Sequence, residues 1–250
     1  MRIMYFCLLF VGIGAIAAPV EFQSSQRQVS LLELYTSEGC SSCPPAETWL
    51  SKLKDSQGLW SECVPVAFHV DYWNNLRWKD RFSDEQYTER QKSYAQLWSA
   101  SDIYTPEFVL NGKEWHDWFG FRGAPSNTAT QPGVLQVQSS DGKHWQATFS
   151  PGPGADAHYE VTAAVLASDV SSDVSAGENS GRHLSHDFAA LSLTTRSLTS
   201  QTNGGFQGRF IIDPQPKEIT GRLALAVWVT REGQLEPLQA TGGWLPKPQQ

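Results

Sequence analysis

Apolar positions along this 250-residue chain fall into two textures. Residues 29–35 (Val-Ser-Leu-Leu-Glu-Leu-Tyr) form a dense block that reads as a buried strand, and residues 64–72 form a second. Between them Ala46, Trp49, Leu50 and Leu53 recur at helical spacing behind Pro44-Pro45. Two prolines suit a first helical turn, because the N–H groups they lack would be unpaired there anyway. A helix is expected over residues 83–99, with Ser83 and Gln86 as a capping box and Tyr87, Tyr94, Ala95 and Trp98 on one stripe. Residues 107–110 and 113–115 flank Asn111-Gly112, the strongest short hairpin signal.

Beyond residue 132 the runs shorten and often alternate: 134–138, 144–149, 159–166, 190–194, 208–212 and 223–229. Turn residues separate them at Asp141-Gly142, 151–154, Asn203-Gly204-Gly205 and Asp213-Pro214. Six or seven such strands read as an antiparallel sandwich. The Ser/Gly-rich stretch 171–180 reads as a mobile surface loop. The expected fold class is therefore an α/β domain of thioredoxin-like element order over residues 26–131, followed by an all-β sandwich-like domain over 132–246.

Residues 1–17 carry one charge, Arg2, then an apolar run and the Ala15-Ile16-Ala17 triplet. This is the pattern of a secretory signal peptide, so the mature chain is expected in the periplasm or outside the cell, with no stable membrane insertion. Net charge is −7, and loss of Arg2 with the leader takes it to −8. An acidic chain without a basic cluster lacks the electrostatic footprint of a nucleic-acid binder.

The chemistry concentrates at Cys40-Ser41-Ser42-Cys43, where the first strand hands over to the first helix. N–H groups at a helix start stabilise a thiolate, so Cys40 is expected to ionise below the free-thiol value of about 8.5, with Cys43 as the resolving thiol. The alternatives are a structural disulfide or half of a metal site. A disulfide that closes so short a loop adds little stability, which favours exchange over a staple. Cys63 is left over, as a buried thiol or an intermolecular bridge. His69 and Asp71 alternate onto one face of the second strand, as proton relay or metal ligands; two thiolates with an imidazole would suit Cu(I). His183 and His186 lie three apart near Asp187, in loop-like sequence. Trp73, Trp78, Trp98, Trp115 and Trp118 read chiefly as core, with one or two available as an apolar platform for peptides.

The blocks 33–46, 67–73, 91–94 and 104–106 with Asn111-Gly112, and the run 177–186, resemble the DUF1223 family. Those are exported bacterial proteins of uncharacterised function grouped with the thioredoxin-like superfamily. The resemblance to that wider superfamily implies a cis-Pro106 beside the cysteines, with the Thr105 backbone turned toward a bound substrate chain; a trans-Pro at a strand entry is the alternative. It also implies that a carboxylate on the incoming strand, here Glu33, takes a proton from Cys43. The functional expectation is thiol–disulfide exchange with protein or peptide thiols by Cys40 and Cys43, with Thr105 and Pro106 holding the partner and Glu33 or His69 relaying protons. No cofactor is expected. The rival is a non-catalytic envelope binding protein or copper carrier that uses the same cysteines.

Overall fold

The segment Ser30–Thr36 is buried at all seven positions. A strand without an exposed face belongs in the middle of a sheet covered on both sides. The computed structural model, which describes residues 19–120, 125, 128–154, 158–212 and 219–246, places it there. The signal peptide expected over 1–17 and the turn expected at 213–214 lie outside these residues.

In chain order the strands are β1 (Val20–Gln23), β2 (Ser30–Thr36), β3 (Cys63–His69), β4 (Glu107–Leu110), β5 (Lys113–Glu114), β6 (Gly133–Ser139), β7 (His144–Pro151) and β8 (Tyr159–Ser168). They continue with β9 (Val170–Asp173), β10 (His183–His186), β11 (Ala189–Ser197), β12 (Thr199–Ser200), β13 (Phe206–Ile211), β14 (Arg222–Arg231) and β15 (Pro237–Trp244). Among the described residues there are two α-helices, α1 (Pro44–Ser51) and α2 (Glu85–Trp98). Neither is long and apolar enough to cross a membrane.

One sheet runs β15-β14-β8-β11-β3-β2-β4-β5, a second β1-β6-β7-β13-β12, and β9 pairs with β10 alone. This corrects the expected fold class. The protein is mostly β and sandwich-like, and β2 to β5 do not close into a thioredoxin-like α/β sheet of their own. They continue into β11, β8, β14 and β15 at the pair Ala67↔Ala189, where the Ala67 N–H donates to the Phe188 carbonyl at 2.8 Å.

The reason lies in β8 and β14. Val161, Val165, Leu225, Val227 and Val229 face Leu135, Val137, Trp145 and Phe149 of the second sheet and form the sandwich core. Their neighbours Ala164, Leu166, Ala224, Ala226 and Trp228 join the other core, with β2, β3 and both helices. Strands apolar on both faces need cover on both faces, so they cannot form the outer wall of a free-standing sandwich.

Local chemistry sets the ends of the helices. α1 starts at N-cap Cys43 with prolines in its first turn, as the sequence suggests. α2 starts one residue later than expected: the Asp84 carboxylate accepts from the Gln86 N–H at 2.9 Å, while the Ser83 hydroxyl donates to the Asp80 carbonyl. Asn111 (φ 51°) and Gly112 (φ 79°) make the two-residue turn between β4 and β5. A Cβ on Gly112 would lie 3.0 Å from Cα of Glu236, so a side chain there has no room.

Candidate functional site

β2 ends at Thr36 and the chain turns through Ser37, Glu38 and Gly39 into Cys40. The Cys40 N–H donates to the Ser37 carbonyl at 3.1 Å, and the Cys43 carbonyl accepts from Ala46 and Glu47 to start α1. Gly39 passes so close to Trp73 that a Cβ would sit 2.9 Å from Cβ of that residue. Cys40 and Cys43 are joined in a disulfide.

The expected partners Thr105 and Pro106 stand beside the pair. Sγ of Cys40 lies 3.8 Å from the Thr105 carbonyl, the Ser42 hydroxyl reaches that same oxygen at 3.5 Å, and the Thr105–Pro106 bond is cis. The Trp73 indole N–H donates to Oγ1 of Thr105 at 2.8 Å, a positioning contact that the sequence did not suggest.

One finding runs against the simplest exchange site: both cysteines are fully buried, although Ser41 and Ser42 between them are exposed. The cover includes the loop between β9 and β10. Asn179, itself fully buried, donates from Nδ2 to the Glu38 and Cys40 carbonyls at 2.9 and 2.8 Å. The Glu178 carboxylate accepts from the Ser41 N–H at 3.1 Å and the Ser41 hydroxyl at 2.7 Å, which holds its pKa below the usual range. The 171–180 stretch is thus not the free surface loop expected. Its first residues form β9, paired with β10, and its last ones strap the cysteine turn. Beside the pair, Pro44, Pro45, Trp49, Trp118 and Phe119 line an open groove of about 400 Å³, in which Phe119 is 81% exposed.

Beneath the pair lies a second, unexpected group. Glu38, Glu47, His69, Asp80 and His186 are all buried. Nδ1 of His69 bonds Asp80 at 2.7 Å, and Nδ1 of His186 bonds Glu47 at 2.5 Å. Glu47 also accepts from Thr36, Glu38 from the Trp78 indole at 2.6 Å, and Asp80 from the backbone of Glu38 and Phe82. Burial disfavours the charged imidazole of His186, but the Glu47 and Glu38 carboxylates overcome it and hold the pKa up at about 10. Burial likewise opposes a charged His69, and Asp80 outweighs it. Burial pushes the carboxyls of Glu47 and Asp80 up, and their histidine partners win, so both titrate low.

The other residues of the sequence analysis disperse. Glu33 is buried in a bidentate pair with Arg90 at 2.7 and 3.0 Å, and also accepts from Tyr94 and Tyr35. Asp71 does not share a site with His69; it accepts from the Thr88 hydroxyl at the start of α2. His186 sits on strand β10 rather than in a loop, and His183, two positions along the same strand from Ser185, is exposed and pairs with Asp173. Cys63 is buried and free, and burial pushes its thiol far up. The sequence missed Glu47, Asp80 and Asn179, and Glu38, which reads as a solvated loop charge, is fully buried. The one signal for Glu47 was a charge set among the apolar helix positions 46, 49 and 50.

Fold and site together define a mostly β, sandwich-like protein with a disulfide capping a helix and strapped from above. Residues 31–230 match the model of a family described as "Protein of unknown function (DUF1223)". The chain belongs to that family. No curated protein matches it. Among solved structures it is similar to protein AGR_C_4864 from Agrobacterium tumefaciens, at 22% identity and a TM-score of 0.62 over 90% of this chain and 99% of that one. It is also similar to HBP35 of Porphyromonas gingivalis, at 14% identity and a TM-score of 0.58 over 91% and 79%. At these identities the likeness concerns the fold alone.

Proposed function

We propose that this protein is an exported thiol–disulfide oxidoreductase whose Cys40–Cys43 pair exchanges once the strap over it opens. The carrying observation is the disulfide at the first turn of α1, beside the Thr105 carbonyl and beneath a loop held by Asn179 and Glu178.

In the exchange a partner thiolate attacks Sγ of Cys40. A mixed disulfide forms, the Cys40–Cys43 bond breaks, and the electron pair moves onto Cys43. A second partner thiolate then attacks its own mixed-disulfide sulfur, so the partner leaves as a disulfide and both cysteines are left reduced. The reverse steps reduce a partner, and the potential difference sets the direction. Helix N–H groups favour whichever thiolate is released at the start of α1. Thr105 and the Trp118–Phe119 groove would seat the partner chain.

The test is a Cys43→Ser variant incubated with a disulfide-linked peptide. The expected product is a mixed disulfide at Cys40, seen as an intact-mass adduct that mapping places on that residue. A folded variant that forms no adduct refutes the reading.

A further inference from the structure

We propose that Nε2 of His69, Nδ1 of His186 and the Glu47 carboxylate hold one divalent first-row metal ion, zinc in class. Ligand atoms of Glu47, His69 and His186 lie within 4.8 Å of one another. Nδ1 of His186 and Oε2 of Glu47 stand 2.5 Å apart and would part to about 3.3 Å on a tetrahedral ion with bonds of about 2.0–2.1 Å.

An unpaired atom carries the inference. Nε2 of His69 is buried and has no hydrogen-bond partner among the described residues. Its Nδ1 is committed to Asp80, and on the second ring Nε2 of His186 lies 3.2 Å from Oε1 of Glu38, which leaves Nδ1, beside Glu47, for the ion. A carboxylate on one ring nitrogen with the other nitrogen free is how proteins orient a metal-ligating histidine.

Charge balance gives the same answer. Glu38, Glu47 and Asp80 are carboxylates in a site where no Lys or Arg side chain bonds them among the described contacts. Two imidazolium ions would supply two positive charges, but as rings 5.1 Å apart, with the buried Nε2–H of His69 left without an acceptor. A buried unmet donor costs about 1–3 kcal/mol. A divalent ion supplies the same charge to neutral imidazoles and takes Nε2 of His69, while His186 keeps its Nε2–H toward Glu38. Imidazole with carboxylate suits zinc better than the soft Cu(I) ion. An open surface cavity of about 350 Å³ between α1 and β10, lined by Pro44, Glu47, Thr48, Arg182, Leu184 and Asp187, reaches Glu47 from outside. The site uses neither cysteine, so it stands or falls independently of thiol exchange.

The test uses the full chain, untagged and with its disulfide intact. The protein is unfolded in urea with chelator, then refolded with and without Co(II) or Zn(II) alone. The expected result is one Co(II) per chain with the visible spectrum of a tetrahedral nitrogen–oxygen site, proton release on binding, and a higher unfolding temperature with Zn(II). His186→Gln should abolish binding, Asp80→Asn should weaken it about 10- to 100-fold as an orienting partner, and His183→Gln should leave it intact. X-ray absorption of the wild-type zinc protein should show two imidazoles, a readout that needs no variant to fold. Refolded wild-type protein that binds no ion, binding that survives His186→Gln, or a zinc shell without two imidazoles overturns the proposal.

Discussion

Asn179→Ala is the sharpest perturbation of the strap. The side chain is fully buried and donates at 2.9 and 2.8 Å to two backbone carbonyls of the cysteine turn, while Oδ1 accepts from Arg182 at 2.8 Å. A typical hydrogen bond contributes about 0.5–1.5 kcal/mol net. Losing the two that tie strap to turn should destabilise the closed state by about 1–3 kcal/mol, an increase of about 5- to 150-fold in the open population. If the disulfide reacts from the open state, its reduction by dithiothreitol should accelerate by that factor. The assay follows reduction by quenched alkylation and mass, in buffer where circular dichroism shows both proteins folded, with global unfolding rates measured alongside. A reduction rate unchanged in Asn179→Ala, or raised only as much as the unfolding rate, refutes strap gating.

Other outcomes follow from the same contacts. Arg90→Ala leaves the Glu33 carboxylate buried without its counter-charge and uncovers Trp228, so stability by urea titration should fall by about 3–5 kcal/mol with little change in disulfide reactivity. Burial raises the Glu107 carboxyl to about 7 despite its bond from Gln91. The native state therefore holds a proton there that the unfolded state has lost. Its contribution is fully present below about pH 4.5 and is lost as pH rises through 7. Thermal melts from pH 5 to 8 should show this decline in the wild type and a flatter profile in Glu107→Gln. Cys63 should resist alkylation in the folded, oxidised protein and react when urea unfolds it; rapid labelling of the native protein would contradict its burial.

Local features were legible in the sequence; partners distant along the chain were not. Pro44-Pro45 after a strand, the spacing of Ala46, Trp49 and Leu50, and Asn111-Gly112 each act over a few residues, and each formed the element expected. The fold class went astray because the pair Ala67↔Ala189 joins segments 122 residues apart, and two alanines carry no mark of it. Alternation in β8 and β14 looked like a sandwich wall, but Ala164, Ala226 and Trp228 on the second face needed cover as well. The site shows the same limit. Glu33 was read as lying beneath the cysteines, yet its partner Arg90 is 57 residues away on α2. His186 meets Glu47 across 139 residues, and His69 meets Asp80 across 11 with an irregular stretch between them. Burial of polar groups, unlike hydrophobic period, leaves little local trace in a single sequence.

The proposed activity requires the disulfide to be exchangeable in the folded protein. The direct measurement compares the rate of wild-type disulfide reduction with the rate of global unfolding in the same native buffer. Reduction that is much faster than unfolding and first order in thiol is the expected result; reduction that matches the unfolding rate at saturating thiol would make the pair a structural staple.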